Sequence, residues 1–375
     1  MKDIKGRKIV LIGGGGFIGH NMALELKKRG ADVSIIDSLQ INNLLSFSST
    51  NNEMVNREFY NKIIQERLNL IYKANIPLYV QDAREYHQMS KLLSSIEPQV
   101  VVLLAAVSHA SRSNKDPYST FDHSLRTLEN ALDWARGSKL EQFIYFSSSM
   151  VYGNFLTDPV TEESPCNPIG IYGALKFAAE KIVHAYNQVF GLPYTIVRPS
   201  ALYGERCVSR RVGQIFIENA MQGQDIIVKG SESEKLDFTY IADLVDGICK
   251  CIENENAINQ TFNMTYGSAR SVADMVAILK KHFPNVVLHE MERDNLMPER
   301  GTLSVEKARK MIGYNPQNPL EIGFAKYINW NKSFFRGYTY NARIAKSLED
   351  TGIQSMNVHS GAINIGRLKE AMINE

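Results

Sequence analysis

Cysteine is scarce in this chain. The four that occur, Cys166, Cys207, Cys249 and Cys251, have spacings that fit neither a disulfide framework nor a zinc site. Free thiols in a reducing compartment are the expectation, with no bound metal. An excess of charge of one sign is also missing: 42 basic residues face 40 acidic ones, leaving a net charge of +2. Neither nucleic acid nor an anionic membrane surface is therefore indicated as a partner. No apolar run reaches the roughly 18 residues needed to span a bilayer. The segment from Met1 to Lys8 passes straight into a strand-like run and lacks the apolar core of a signal peptide. Together these absences point to a cytoplasmic protein.

What the chain does have, at its start, is a glycine turn between two apolar runs. Ile9–Ile12 leads into Gly13-Gly14-Gly15-Gly16-Phe17-Ile18-Gly19, a helix-like stretch follows, and Asp32–Ile36 ends at Asp37, 18 residues past Gly19. Each part has a physical task in holding a dinucleotide. Gly13 permits a tight turn, Gly16 lets the backbone approach a pyrophosphate, and Gly19 lets the helix pack close to the strand. The helix N-terminus offers unpaired N–H groups to phosphate. A carboxylate at Asp37 can accept both ribose hydroxyls and would repel a 2′-phosphate, which favours NAD over NADP.

Further along, apolar runs alternate with helical periodicity. Strands are predicted at Leu78–Gln81, Val100–Ala105, Gln142–Ser147 and Tyr194–Arg198. Helices are predicted at Met22–Arg29, Glu85–Ser94, Phe121–Arg136 and Gly173–Phe190. This alternation predicts an α/β fold: a Rossmann-type, doubly wound parallel sheet with a smaller α/β substrate-binding lobe. The expected division is 1–199 for the dinucleotide-binding domain, 200–330 mainly for the substrate lobe, and 331–375 for a helical or partly disordered tail. Parts of 237–265 are expected to rejoin the main sheet. In the second lobe, Gln214–Gln222, Ile241–Ile252 and Ser271–Phe283 read as helices, with Ser271 an N-cap. Asp225–Val228 and Thr261–Met264 read as strands. Residues 39–77 form an unusually long connection with a helix at Arg57–Lys73. Such a segment covers the adenosine end of a cofactor, serves an interface, or is an inert insertion.

A second pattern lies at Ser147-Ser148-Ser149-Met150-Val151-Tyr152-Gly153, followed by Tyr172 and Lys176. Hydroxyls at a strand's carboxyl edge sit where such sheets bind ligands. Tyr172 and Lys176, four apart, share one helix face. An ammonium beside the phenol, together with a positive nicotinamide ring, would lower the tyrosine pKa from its usual value near 10. A phenolate so poised can take a proton from a sugar hydroxyl while hydride leaves the same carbon.

Over about residues 8–330 the chain resembles the extended short-chain dehydrogenase/reductases, the NAD-dependent nucleotide-sugar epimerase/dehydratase family typified by UDP-galactose 4-epimerase. The resemblance rests on the glycine turn, Asp37, Asp82, Leu104-Ala105-Ala106, Asp116-Pro117, the serine stretch, Tyr172/Lys176, Arg198-Pro199, Tyr203-Gly204, Asp237-Phe238-Thr239-Tyr240, Phe262-Asn263 and Gly313-Tyr314. It implies Ser148, Tyr172 and Lys176 as the catalytic set. It implies a cofactor lining of Gly13, Gly16, Phe17, Ile18, Gly19, Asp37, Asp82, Ala83, Leu104, Ala105 and Ala106, with Tyr172 and Lys176. Substrate contacts are implied at Ser108, Ser113, Ser149, Arg206, Arg211 and Arg300. Arg300 fits a surface arginine equally well, and Arg210-Arg211 fits a solvated pair. The resemblance further implies a homodimer built on the helices near 121–135 and 172–190.

Departures from the family pattern narrow the chemistry. Dehydratases follow the catalytic hydroxyl with Asp-Glu, and decarboxylating members carry a glutamate there; this chain has Ser149-Met150. The expectation is a nucleotide-sugar 4-epimerase acting through a 4-keto intermediate. A 4-oxidoreductase or dehydratase giving a keto sugar is the close alternative, and a non-catalytic NAD-binding protein a remoter one. Ala201 and Leu236 replace a family asparagine and a family arginine, so the substrate's diphosphate loses its usual bidentate partner.

Overall fold

The structure is a computed structural model that describes residues 3–48, 57–107, 110–293 and 296–350. Its centre is a seven-stranded sheet of β1 (Lys8–Ile12), β2 (Asp32–Asp37), β3 (Leu78–Val80), β4 (Val100–Leu103), β5 (Gln142–Phe146), β6 (Tyr194–Arg198) and, much later in the chain, β11 (Gln260–Asn263). Every pairing is parallel, in the order β3-β2-β1-β4-β5-β6-β11. That is the doubly wound arrangement expected from the alternation of strand and helix.

The middle strands are buried at every position because both faces are covered. Alternate residues separate the two faces. Ile9, Leu11, Val100, Val102, Ile144 and Phe146 pack on one side, and Val10, Ile12, Val101, Leu103, Phe143 and Tyr145 on the other. The first side carries α1 (Phe17–Lys28), with α2 (Leu44–Ser48) and α3 (Arg57–Lys73) beyond it. The second carries α4 (Tyr86–Ile96), α5 (Ala110–Lys115), α6 (Pro117–Phe121), α7 (Thr127–Arg136) and α8 (Gly170–Phe190).

The region predicted as one regular helix over Phe121–Arg136 differs in detail. A π-helical turn at Asp122–Arg126 joins α6 to α7. Such wide turns shift side chains relative to a regular helix and cluster at functional sites.

After β6 come β7 (Leu202–Tyr203), α9 (Val212–Met221), β8 (Ile226–Lys229), β9 (Lys235–Leu236), β10 (Thr239–Tyr240) and α10 (Ile241–Glu253). Then follow β11, β12 (Arg270–Ser271), α11 (Val272–His282), β13 (Leu288–Met291), α12 (Glu306–Ile312) and α13 (Leu320–Asp350). The later strands form two-stranded pairs: β7 with β10, β8 with β13, and β9 with β12. Ser271 caps α11 as expected, in a reciprocal capping box with Asp274. β11 rejoins the main sheet beside β6. Of the described residues, those up to 330 form one compact unit and 331–350 belong to a second. Among the described residues no helix is long and apolar enough to cross a membrane.

Candidate active site

The glycine turn lies at the carboxyl end of β1, where the order of the sheet reverses between β1 and β4. Gly13 has φ +82°, and a Cβ on it would lie 2.6 Å from the Ala105 nitrogen. Only glycine allows the turn to press against the end of β4. Gly19 does pack closely, but its neighbour is the turn itself rather than the strand: a Cβ there would lie 2.4 Å from Gly14 Cα. At Gly16 a Cβ would meet nothing nearer than the Gly13 oxygen at 3.5 Å, so this position borders open space. No side chain caps the N-terminus of α1. Its free N–H groups are therefore available to an anion.

A cleft of about 980 Å3, counting its open mouth, is lined by Gly13, Gly16, Phe17, Ile18, Gly19, Asp37, Asp82, Ala83, Leu104, Ala105 and Ala106. These are the eleven positions expected to hold the cofactor, besides Tyr172 and Lys176. The Asp37 carboxylate accepts the Gly15 N–H at 2.9 Å and the Leu39 N–H at 2.7 Å. Burial raises its pKa, against those two hydrogen bonds and the charge of Arg67. Two of its roughly four acceptor sites stay open for ribose hydroxyls. Asp82 is gripped by Arg84, which bonds both carboxylate oxygens and holds its pKa below the usual range. The cleft, the uncapped helix and Asp37 fit a dinucleotide whose ribose carries no 2′-phosphate.

Several lining residues carry no sequence motif. Ser38, Ile41 and Asn42 follow β2; His123 and Thr127 come from the π turn and its exit; Arg67 comes from the long connection. Arg67 had one readable signal, a charge on the apolar stripe of an amphipathic helix.

Ser148 and Tyr172 meet at the carboxyl edge of β5. Ser148 opens a short turn, its hydroxyl accepting the Met150 N–H at 3.2 Å. Burial raises the Tyr172 pKa, while the charge of Arg211 and a hydrogen bond from Ser148 pull it down. The influences opposing burial thus come from Arg211 and Ser148 rather than from Lys176. The Lys176 ammonium instead donates to the Phe146 carbonyl at 2.7 Å and lies 5.1 Å from the centre of the Tyr145 ring. Burial lowers its pKa to about 8, opposed by Glu180.

Behind this set lies a buried polar network. Glu180, four residues past Lys176 on α8, takes Arg198 through two hydrogen bonds of 2.9 and 2.6 Å and also receives Ser147 Oγ. Arg198 donates to the Tyr152 hydroxyl at 2.9 Å, and that hydroxyl donates to Asn263 at 2.7 Å. The network ties β5, α8, β6 and β11 together beneath the reactive residues. A bidentate buried pair fixes geometry even where its net energy is small.

The substrate-contact residues separate into those that gather and those that do not. Arg211 lines the cleft, and its charge is felt at both Tyr172 and Arg300. Arg300 has a buried Nε with no partner, and burial lowers its pKa to about 10. Arg300, unlike Arg211, is not among the residues lining the cleft. Arg206 does not join them: its guanidinium bonds His20 at 3.0 Å and Asn21 at 3.2 Å on α1, and reaches Glu66 at 3.4 Å. Ser113 is fully buried on α5 and Ser149 is buried at the turn, neither among the residues lining the cleft. Ser108 lies outside the described residues.

A family model described as the NAD dependent epimerase/dehydratase family matches residues 9–265. Over 333 residues the chain is 27% identical to a putative UDP-glucose 4-epimerase of Methanocaldococcus jannaschii, covering 87% of this chain and 98% of that protein. Over 361 residues it is 26% identical to UDP-glucuronate 4-epimerase 1 of Arabidopsis thaliana, covering 90% and 80%. The Bacillus cereus UDP-glucuronic acid 4-epimerase, solved with UDP-glucuronic acid and NAD, shares the fold. Its TM-score is 0.77 and its identity 23%, over 87% of this chain and 99% of that one. With the cleft, the glycine turn and the match to most of the chain in hand, this protein belongs to the NAD dependent epimerase/dehydratase family.

Proposed function

We propose that the protein is a 4-epimerase of a nucleotide-activated sugar, working through a transient 4-keto intermediate. The observation that carries this reading is the meeting of Ser148 and Tyr172 at the sheet edge, with Ser149-Met150 where an eliminating enzyme needs acids. NAD, held by the glycine turn and Asp37, would supply the hydride acceptor and donor. The chain's own residues move the proton. Tyr172 takes it from the C4 hydroxyl as the C4–H bond breaks, while Ser148 donates a hydrogen bond to the same oxygen. Tyr172 returns the proton once the keto sugar has presented its other face. Arg211 and Arg300 hold the diphosphate, replacing the arginine missing at Leu236. Relatives named as a putative UDP-glucose 4-epimerase and a UDP-glucuronate 4-epimerase make UDP-hexoses the first substrates to try.

The enzyme acts in the cytoplasm as a homodimer. Its four cysteines are unpaired. Tyr118, Phe121, Val189 and Phe190 leave an apolar surface on α6 and α8, suited to a second copy.

The test is incubation with UDP-glucose, UDP-glucuronate and UDP-N-acetylglucosamine without added cofactor, followed by proton NMR. The expected result is the C4 epimer with unchanged absorbance at the NADH wavelength. Accumulation of a keto sugar with equimolar NADH would assign the protein to the oxidoreductases instead.

A further inference from the structure

Arg67 is a buried charge without an ion-pair partner. It sits on α3, in the long connection between β2 and β3. The buried face of α3 is Phe59, Tyr60, Ile63, Ile64, Arg67 and Ile71, a helical stripe in which the arginine takes a core position. Its side chain is completely buried. Its Nε and Nη2 both donate to the Arg206 carbonyl, the former at 2.8 Å, and Nη1 reaches the Asn42 carbonyl at 3.5 Å. These partners are neutral oxygens. Among the described residues no carboxylate lies within ion-pair distance of it; Asp37 acts on it only from farther off, and the like charge of Arg206 opposes it more strongly. Burying a guanidinium without a directly paired anion is costly, and natural proteins rarely leave it so.

Arg67 also lines the cleft that holds Gly13, Gly16 and Asp37. The uncapped N-terminus of α1 faces the same space, so two independent features there await an anion. We propose that the pyrophosphate of the bound dinucleotide is the counter-ion of Arg67, and that α3 is part of the cofactor site. This inference rests on the dinucleotide reading of the cleft. A 2′-phosphate is the wrong anion, because Asp37 is pinned in place by Gly15 and Leu39 and would repel it. The Nη1 arm, at the outer limit of its bond to Asn42, is the donor free to turn toward phosphate. The long connection then acquires a role: it brings to the glycine turn a cation that the turn itself lacks.

The experiment compares the full-length protein with Arg67→Met, both freed of nucleotide, by calorimetry with NAD, ADP, NADP and adenosine and by thermal unfolding. The variant should bind NAD and ADP roughly 10- to 100-fold more weakly, the range expected for a charged hydrogen bond. Adenosine binding should be unchanged, because it carries no phosphate. The nucleotide-free variant should unfold at the same temperature as the parent or higher, since an unpaired buried charge has been removed. Unchanged ADP affinity, an equal loss for adenosine, or a lower unfolding temperature without nucleotide would each overturn the proposal in favour of a structural role. A loss confined to NADP would overturn it in favour of a 2′-phosphate site. A parent protein that binds neither NAD nor ADP would overturn the dinucleotide reading together with this inference.

Discussion

Gly13, Gly16 and Gly19 give the cleft a wall of bare backbone, whereas the end near Arg211 is built from long side chains. The glycine turn presents to a ligand uncapped N–H groups and the space left by absent Cβ atoms. Its specification is local: a tight turn at φ +82°, a close approach at Gly19, an open face at Gly16. The end near Tyr172 and Arg211 draws on β5, α8, the start of α9 and the segment near 300, and its geometry depends on how these pack. A backbone-built site is written in a short stretch of sequence. A side-chain-built site is written across the chain and can be rewritten position by position, as Leu236 shows.

The comparison can be broken most sharply at Tyr172. Tyr172→Phe removes the only proton acceptor proposed and leaves the glycine turn intact. Turnover should fall by about a thousandfold, while NAD copurifies as before; retained turnover would show that another group moves the proton. Arg300→Ala should separate binding from chemistry at the same end. KM for the nucleotide sugar should rise roughly 10- to 100-fold with kcat little changed, and a fall in kcat alone would remove Arg300 from the diphosphate site. Gly19→Ala probes the other end. The added Cβ meets Gly14 Cα at 2.4 Å, so stability should drop by about 1–3 kcal/mol, with loss of NAD retention, as read by urea unfolding and the absorbance of released nucleotide.

The smallest effect is a pH slope. An unfolded lysine keeps its proton up to 10.5, whereas buried Lys176 releases it at about 8. Between these values the unfolded chain binds more protons, so rising pH favours the folded state. This contribution is complete above 10.5 and is lost as pH falls through about 8. Lys176→Met should remove a slope of at most about 1.4 kcal/mol per pH unit. Urea unfolding of cofactor-free protein at pH 8 and pH 10 measures it; identical slopes in both proteins would mean that Lys176 keeps an ordinary pKa.

Much of the fold was legible because its period and punctuation are local. Arg57–Lys73 and Tyr194–Arg198 form with the ends expected of them, and most other elements differ only at their termini. The π turn at Asp122–Arg126 was not legible, since it has the same apolar spacing as a regular helix and is set by contacts with its neighbours. The company of Arg206 was equally hidden. A resemblance placed it near substrate, but the chain after Gly204 carries it to His20 and Asn21 on α1.

By itself, then, the sequence determined the order of strand and helix, the glycine turn with Asp37, and the placing of Tyr172 and Lys176 on one helix face. These rest on hydrophobic period, on the absence of Cβ atoms and on i to i+4 spacing, all of which act over a few residues. The tertiary structure alone decided that Lys176 turns to the Phe146 carbonyl, that Glu180 and Arg198 lock together beneath it, and that Arg67 is buried against the cofactor cleft. Each of those outcomes depends on burial and on partners distant in the chain, because a charge acquires its pKa and its counter-ion only when packing has removed the water around it.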